Sequence, residues 1–293
     1  MRTKRRQFLA SLGASLAMGL LPARHCLSSG EDSLRIGLTP AFLHDRHGVQ
    51  AEWKAYLEKR LKRPVIFVLR DSYSDTMDLI KQHRLDAAWL CDYPYVLMKS
   101  QVDLLATPLN EGRPYYRSYL IVPAGQTGVR SIADLEGKVF AYADPYSNTG
   151  YLAPRYVLKK LGKNPATFFH KTFFTWSHRK AIEAVATHLA DGAAVDSYIW
   201  ESLARVEPSL AARTRIVSRS EDFGFPPFVV HRDLPEKSVR ALRQVLLDMD
   251  KDAAGRAILA KLHLSGFTTA GPELYGSVEE MARQAGEWRN GDF

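Results

Sequence analysis

Leu85-Asp86-Ala87-Ala88-Trp89-Leu90 is the stretch on which the fold turns. Short, apolar and placed directly after a helical pattern, it reads as a buried strand. Two strands precede it. Ser33-Leu-Arg-Ile-Gly-Leu-Thr39 is one, and Val65-Ile-Phe-Val-Leu69, rich in β-branched and aromatic residues, is the other. From Gly48 to Arg60, Val49, Trp53, Tyr56 and Leu57 recur at helical spacing, with Leu61 next, and Pro64 stops the helix. Ser72 is placed to cap a second helix running through Leu79 to His83. The first ninety or so residues therefore read βαβαβ, which predicts a parallel sheet covered by helices.

Working outward, a long strand is expected at Tyr116–Val122 and a short helix at 131–136, opened by Ser131 and stopped by Gly137. Val139–Tyr142 is a strand, and a helix opens at Ser147 and runs to Leu161 before Gly162. Arg179–Ala190 reads as helix and Ala193–Asp196 as strand, which makes a second βαβαβ-like unit. Phe228–His231 is a returning strand, and two helices, near 235–250 and 278–287, close the chain. No low-complexity linker separates the units. Two lobes joined by crossing strands are expected, with hinges near Tyr116–Val122 and Ser220–Val230.

The 293 residues are 46% hydrophobic and 25% charged, ordinary for a globular protein. The formal charge of +8 invites a nucleic-acid reading, but four of the cations (Arg2, Lys4, Arg5, Arg6) lie in the first six residues. The rest are scattered through amphipathic segments with no basic stripe, so no nucleic-acid partner is expected. Residues 1–23 read as a leader: Thr3-Lys-Arg-Arg-Gln-Phe-Leu9, a mildly apolar core to Leu21, then Pro22-Ala23. Arg5-Arg6 ahead of Phe8-Leu9 resembles a twin-arginine export signal, and the periplasm is the expected location. Beyond it no apolar run is long enough for a bilayer, so the mature chain is expected not to insert in a membrane. Cys26 sits at the leader junction, which leaves Cys91 as a single thiol and predicts no disulfide framework.

Seven segments in order carry a family resemblance. They are the Gly37-containing first strand; Leu85–Leu90 running into Tyr93-Pro94-Tyr95; Ser131-Ile-Ala-Asp-Leu-Glu-Gly-Lys138; Asp144-Pro-Tyr-Ser147-Asn148-Thr149-Gly150; Trp176-Ser-His178; Asp191-Gly-Ala-Ala-Val-Asp196; and Ser197 after it. The series resembles the phosphate/phosphite/phosphonate-binding proteins of ABC transporters. The resemblance implies an α/β, two-lobed type II periplasmic binding-protein fold, each lobe a mixed sheet flanked by helices. It places lobe 1 at 34–117 and 223–293 and lobe 2 at 118–222. It implies a small oxyanion held between the lobes, delivery to a transporter permease, and no cofactor.

The same resemblance carries ligand roles onto residues. Ser147, Asn148, Thr149 and Gly150 open a helix whose free N–H groups and dipole suit an anion, with Gly150 admitting it to the backbone. A plain Ser147 cap is the other reading, and Asn148 stands where the family more often has a hydroxyl. His178 would donate to the anion, or else be a structural histidine. Asp196 would receive a ligand amine, since a carboxylate repels a plain dianion, or else cap a helix. Tyr73 and Tyr95, with Tyr93 beside them, would reach the ligand from the first lobe, or else belong to the core.

Cys91 departs from the family, which has Gly there. At a strand end in an α/β sheet it faces the usual ligand position. A soft thiol there suits arsenite, which points to a second reading: an arsenite-binding periplasmic sensor signalling to a histidine kinase. Buried filler is the bland reading of the same residue. A thiol enzyme using Cys91 and His178 lacks a nucleophile signature, so no catalytic residues are assigned. The nine histidines are dispersed without an i, i+4 pair, His44 and His47 being placed in a loop, and no metal site is expected.

Overall fold

The structure, a computed structural model, describes residues 33–39 and 47–288. The leader at 1–23, Cys26 and His44 lie outside the described residues. The first strand, β1 (Leu34–Leu38), is followed by α1 (His47–Leu61), β2 (Val65–Leu69), α2 (Tyr73–Lys81), β3 (Ala87–Trp89) and α3 (Asp92–Leu97). β1 pairs in parallel with both β2 and β3, so the βαβαβ reading holds. Gly37 in β1 is needed for close approach, because a Cβ there would stand 2.7 Å from Leu85 Cδ1.

The chain continues through β4 (Val102–Leu109), β5 (Tyr115–Tyr116) and β6 (Ser118–Pro123). The expected single strand at 116–122 is thus divided at Arg117, and β4 is additional. Asp103, Thr107 and Pro108 break its apolar pattern and hide it from periodicity. After a 3₁₀ turn at Ile132–Leu135 come β7 (Val139–Tyr142), a π turn at Asn148–Leu152, α4 (Ala153–Lys160), β8 (Lys171–Phe174) and α5 (His178–Ala186). β9 (Gly192–Asp196), α6 (Ser197–Val206), α7 (Pro208–Ala211), β10 (Thr214–Arg219), β11 (Phe223–Gly224) and β12 (Phe228–His231) follow. Last are α8 (Glu236–Leu247), α9 (Ala253–Leu262), β13 (Gly266–Thr268) and α10 (Gly276–Ala285). Three terminal helices replace the two expected. α9 is capped by Asp252, which accepts from Gly255 N–H, and it was masked in the sequence by Gly255 in its first turn. His47 opens α1 rather than lying in a loop.

Two mixed sheets result. One has the order β13-β4-β12-β3-β1-β2, the other β10-β6-β9-β7-β8. The chain passes from the first to the second between Leu109 and Ser118 and returns between Arg219 and Phe228. The two crossings pair with each other as an antiparallel ribbon, Tyr116 opposite Phe223 and Tyr115 opposite Gly224. Asp222 on one crossing binds Arg113 and Arg117 on the other, each at 2.7 Å. These pairs are partly exposed and contribute modestly.

The first sheet's core is aromatic where it matters for function. Trp89 stacks on Phe228 at 5.4 Å and meets the edge of Trp53 at 6.0 Å, all three fully buried. Trp89 Nε1 donates to the Pro226 carbonyl and Leu90 N–H to the Pro227 carbonyl. The end of β3, and with it Cys91, is thereby fixed on a rigid platform.

Candidate functional site

Most of the candidate site residues stand where a strand ends and a helix begins. Tyr73 follows β2, Cys91 and Asp92 follow β3, Ser147–Thr149 follow β7, His178 follows β8 and Asp196 ends β9. In parallel α/β sheets this edge collects helix N-termini and is where ligands bind. The two sheets turn these edges toward each other. Tyr73 N–H, from the first sheet's side, donates to Asp144 Oδ2 at 3.1 Å on the second. Asn148 Nδ2 donates to Asp92 Oδ2 at 2.7 Å in the opposite sense.

Asp92 is the hub. Its Oδ1 accepts from Tyr116 OH at 2.7 Å, Tyr93 N–H at 2.9 Å and the Cys91 thiol at 3.1 Å. Burial pushes its carboxyl up to about 6, against the pull of those donors. Cys91 is buried beside it, 3.8 Å from Tyr116 OH, with the backbone N–H of Asn148 directed at its sulfur. Burial first and the Asp92 charge second push the thiol well above its ordinary range, so it stays protonated. Tyr73 is buried in the same group, and burial first, with the acidic groups around it second, pushes its phenol well above the ordinary range.

The second sheet's edge is built around Ser147. Its Oγ accepts from Gly150 N–H at 2.9 Å, which caps the turn that opens α4. His178 Nδ1 accepts from Asp196 N–H at 3.1 Å, so the ring proton sits on Nε2 and is given to Ser147 Oγ at 3.1 Å. Both imidazole nitrogens are engaged within the protein, and burial pushes the ring down to about 3, which keeps it neutral. His178 thus holds Ser147 in place. At Gly150 a Cβ would stand 2.5 Å from Ala143 Cβ and 2.9 Å from His178 Cε1. Close contact with the protein already demands glycine at that position.

Asp196 caps α6, its Oδ1 accepting from Tyr198 N–H at 2.8 Å and Ile199 N–H at 3.2 Å. Burial still pushes its carboxyl up to about 8, and Asp92 adds to the push, so the group is largely protonated at neutral pH. Two buried atoms in this cluster have no hydrogen-bond partner among the described residues: Thr149 Oγ1 and Asn148 Oδ1. Among the described residues, no Lys or Arg is a hydrogen-bond partner or principal charge neighbour of Tyr73, Cys91, Asp92, Tyr116 and Asp196.

Tyr73, Cys91, Ser147, Asn148, Thr149, Gly150, His178 and Asp196 are therefore brought together, and Tyr93 and Tyr95 are not. Tyr93 OH donates to the Glu287 carbonyl at 2.6 Å, and Tyr95 packs edge-on against Tyr275 at 4.9 Å. Helix α3 carries both rings into the core because its residues 93 and 95 leave the strand end on its inner faces, all six of its positions being buried. The sequence reading missed Asp92, Tyr116 and Asp144 as members. Asp92 was legible, as a carboxylate directly after a buried strand; Tyr116 enters from the crossing ribbon and carries no local signal.

Comparison with known proteins identifies the family and the fold. The family model described as "ABC transporter, phosphonate, periplasmic substrate-binding protein" matches residues 36–275. The phosphonates-binding periplasmic protein of Escherichia coli K12 is 23% identical over 281 residues, covering 92% of this chain and 80% of that protein. A binding-protein component of an ABC phosphonate transporter from Pseudomonas aeruginosa superposes with a TM-score of 0.79 at 19% identity, over 87% of each chain. A Prochlorococcus marinus protein solved with methylphosphonate gives 0.78 at 20% identity, over 88% of this chain and 99% of that one. These structures establish the two-lobed type II periplasmic binding-protein fold. With the match spanning nearly all of the described residues, the chain belongs to the phosphonate-type periplasmic substrate-binding proteins of ABC transporters.

Proposed function

We propose that this protein acts in the periplasm as a binding protein and not as an enzyme. It captures a small phosphonate-, phosphite- or phosphate-like oxyanion between its two lobes and delivers it to an ABC transporter. The observation that carries the reading is the pair of unpartnered atoms, Thr149 Oγ1 and Asn148 Oδ1, buried at a helix-opening turn. A buried polar group without a partner costs about 1–3 kcal/mol, which a ligand's oxygens and protons would recover. The lobes divide where the chain crosses, near 117 and 222, with the paired ribbon as the hinge.

The carboxyls refine the ligand. With the Asp92 carboxylate in the wall and no Lys or Arg beside it among the described residues, a bare dianion is disfavoured. A phosphonate with a cationic or hydrogen-bond-donating end fits, its oxyanion at 147–149 and its donor end toward the carboxyls. Cys91 supports a second reading, arsenite, because its sulfur lies inside the cluster. In that case the partner would be a sensor histidine kinase.

A thermal-shift screen decides. The ligands are phosphate, phosphite, methylphosphonate, aminoethylphosphonate, arsenate and arsenite, since a ligand that binds only the folded state raises the midpoint. Aminoethylphosphonate is expected to give the largest rise. A rise with arsenite alone, lost in Cys91→Ser, would replace the transport reading with the sensor one.

A further inference from the structure

At the other end of β3 from Cys91 a second cluster of side chains meets. β12 runs antiparallel to β3, with Phe228 opposite Trp89 and Val230 opposite Ala87. His231 therefore emerges beside Asp86, whose carbonyl accepts its N–H at 2.9 Å. His83 arrives from the end of α2, its backbone held by a bond from its N–H to the Ile80 carbonyl. Asp233 lies in the turn after β12. The two imidazole rings are 4.4 Å apart between centroids. Asp233 Oδ2 is 3.3 Å from His83 Nδ1 and 3.7 Å from His231 Nδ1.

These separations are those of ligands around one ion. Tetrahedral bonds of about 2.0–2.1 Å put neighbouring ligand atoms roughly 3.3 Å apart. One ligating atom from each of the three residues lies within 4.8 Å of the others, so only a small contraction is required. His231 is nearly buried, and its Nδ1 offers a lone pair. That lone pair now accepts Asp233 N–H at 3.1 Å, a bond that coordination would exchange for a metal bond. The neighbouring cations are occupied elsewhere: Lys81 reaches Asp78, and Arg232 reaches Asp103 and the Lys99 carbonyl. Gln101 lines the same open depression and keeps a buried Oε1 without a partner, an acceptor for the water that completes such a shell.

We propose that His83, His231 and Asp233 bind one divalent transition-metal ion, with a fourth position open to water. Two imidazoles and one carboxylate favour zinc, copper(II) or nickel over magnesium and calcium. The ion joins the end of α2 to the turn after β12, on the face away from the ligand cleft.

The test is calorimetric titration of the untagged, chelator-treated full chain with Zn2+, beside His83→Ala and Asp233→Asn. Both residues are exposed, so both variants fold, which their thermal midpoints without metal verify. One equivalent of Zn2+ is expected to bind, at least tenfold more weakly in each variant, while Mg2+ gives no heat. Co2+ in place of Zn2+ is expected to show visible absorption of a tetrahedral site in the wild type only. Absence of saturable Zn2+ binding in the wild type, or binding that survives both substitutions unchanged, overturns the site.

Discussion

The two ends of β3 present the same kinds of atoms in opposite settings. At the carboxyl end, Asp92, Cys91 and Asn148 are almost fully buried, and Asp92 alone receives four hydrogen bonds. At the amino end, His83 and Asp233 have side chains 65% and 73% exposed, and they meet through Nδ1 and Oδ2 at 3.3 Å. In the first setting desolvation governs: it displaces the carboxyls upward and keeps His178 neutral. In the second, water screens the charges and the pair contributes little by itself. Burial, not residue type, separates the two settings.

Asp92→Ala should break the buried end most severely. It leaves Tyr116 OH and Tyr93 N–H without their acceptor and removes the shorter of the two bonds from Asn148 Nδ2, and a loss of about 3 kcal/mol in urea unfolding is expected. Next comes Gly150→Ala, whose methyl would overlap Ala143 and the His178 ring, for a loss of about 1–3 kcal/mol by the same measurement. A stability equal to wild type would mean the turn has more room than its contacts imply.

Asp196→Asn tests the electrostatics with the cap retained, since an amide oxygen still accepts from 198 and 199. Because the folded carboxyl is raised to about 8, its contribution is full below the unfolded value near 4 and is lost as pH rises through 8. The variant's thermal midpoint, taken relative to wild type, should rise steadily from pH 5 to pH 9. Parallel midpoints across that range would show that Asp196 is not held protonated. Thr149→Val removes an unpartnered hydroxyl at constant shape, so stability should move by less than about 1 kcal/mol. Oxyanion affinity should meanwhile fall by about 1–3 kcal/mol, read by calorimetry. His83→Ala, at the exposed end and without metal, should change the unfolding midpoint least, within about 0.5 kcal/mol.

The sequence alone determined the α/β class, the first βαβαβ unit, the helix-opening cluster at 147–150 and the likeness to a binding-protein family. These are encoded locally: period-two and period-3.6 patterns, capping residues, and short motifs that each lie within one strand–helix junction. The tertiary structure decided what depends on distant segments. Tyr93 and Tyr95 share a junction with Cys91, yet they turn into the core, because the burial of α3 is set by Glu287 and Tyr275 nearly two hundred residues on. Tyr116 joins the site because the crossing ribbon brings its hydroxyl to Asp92. His83 and His231 look dispersed in the chain and touch only because β12 returns antiparallel to β3, a register that no local pattern specifies.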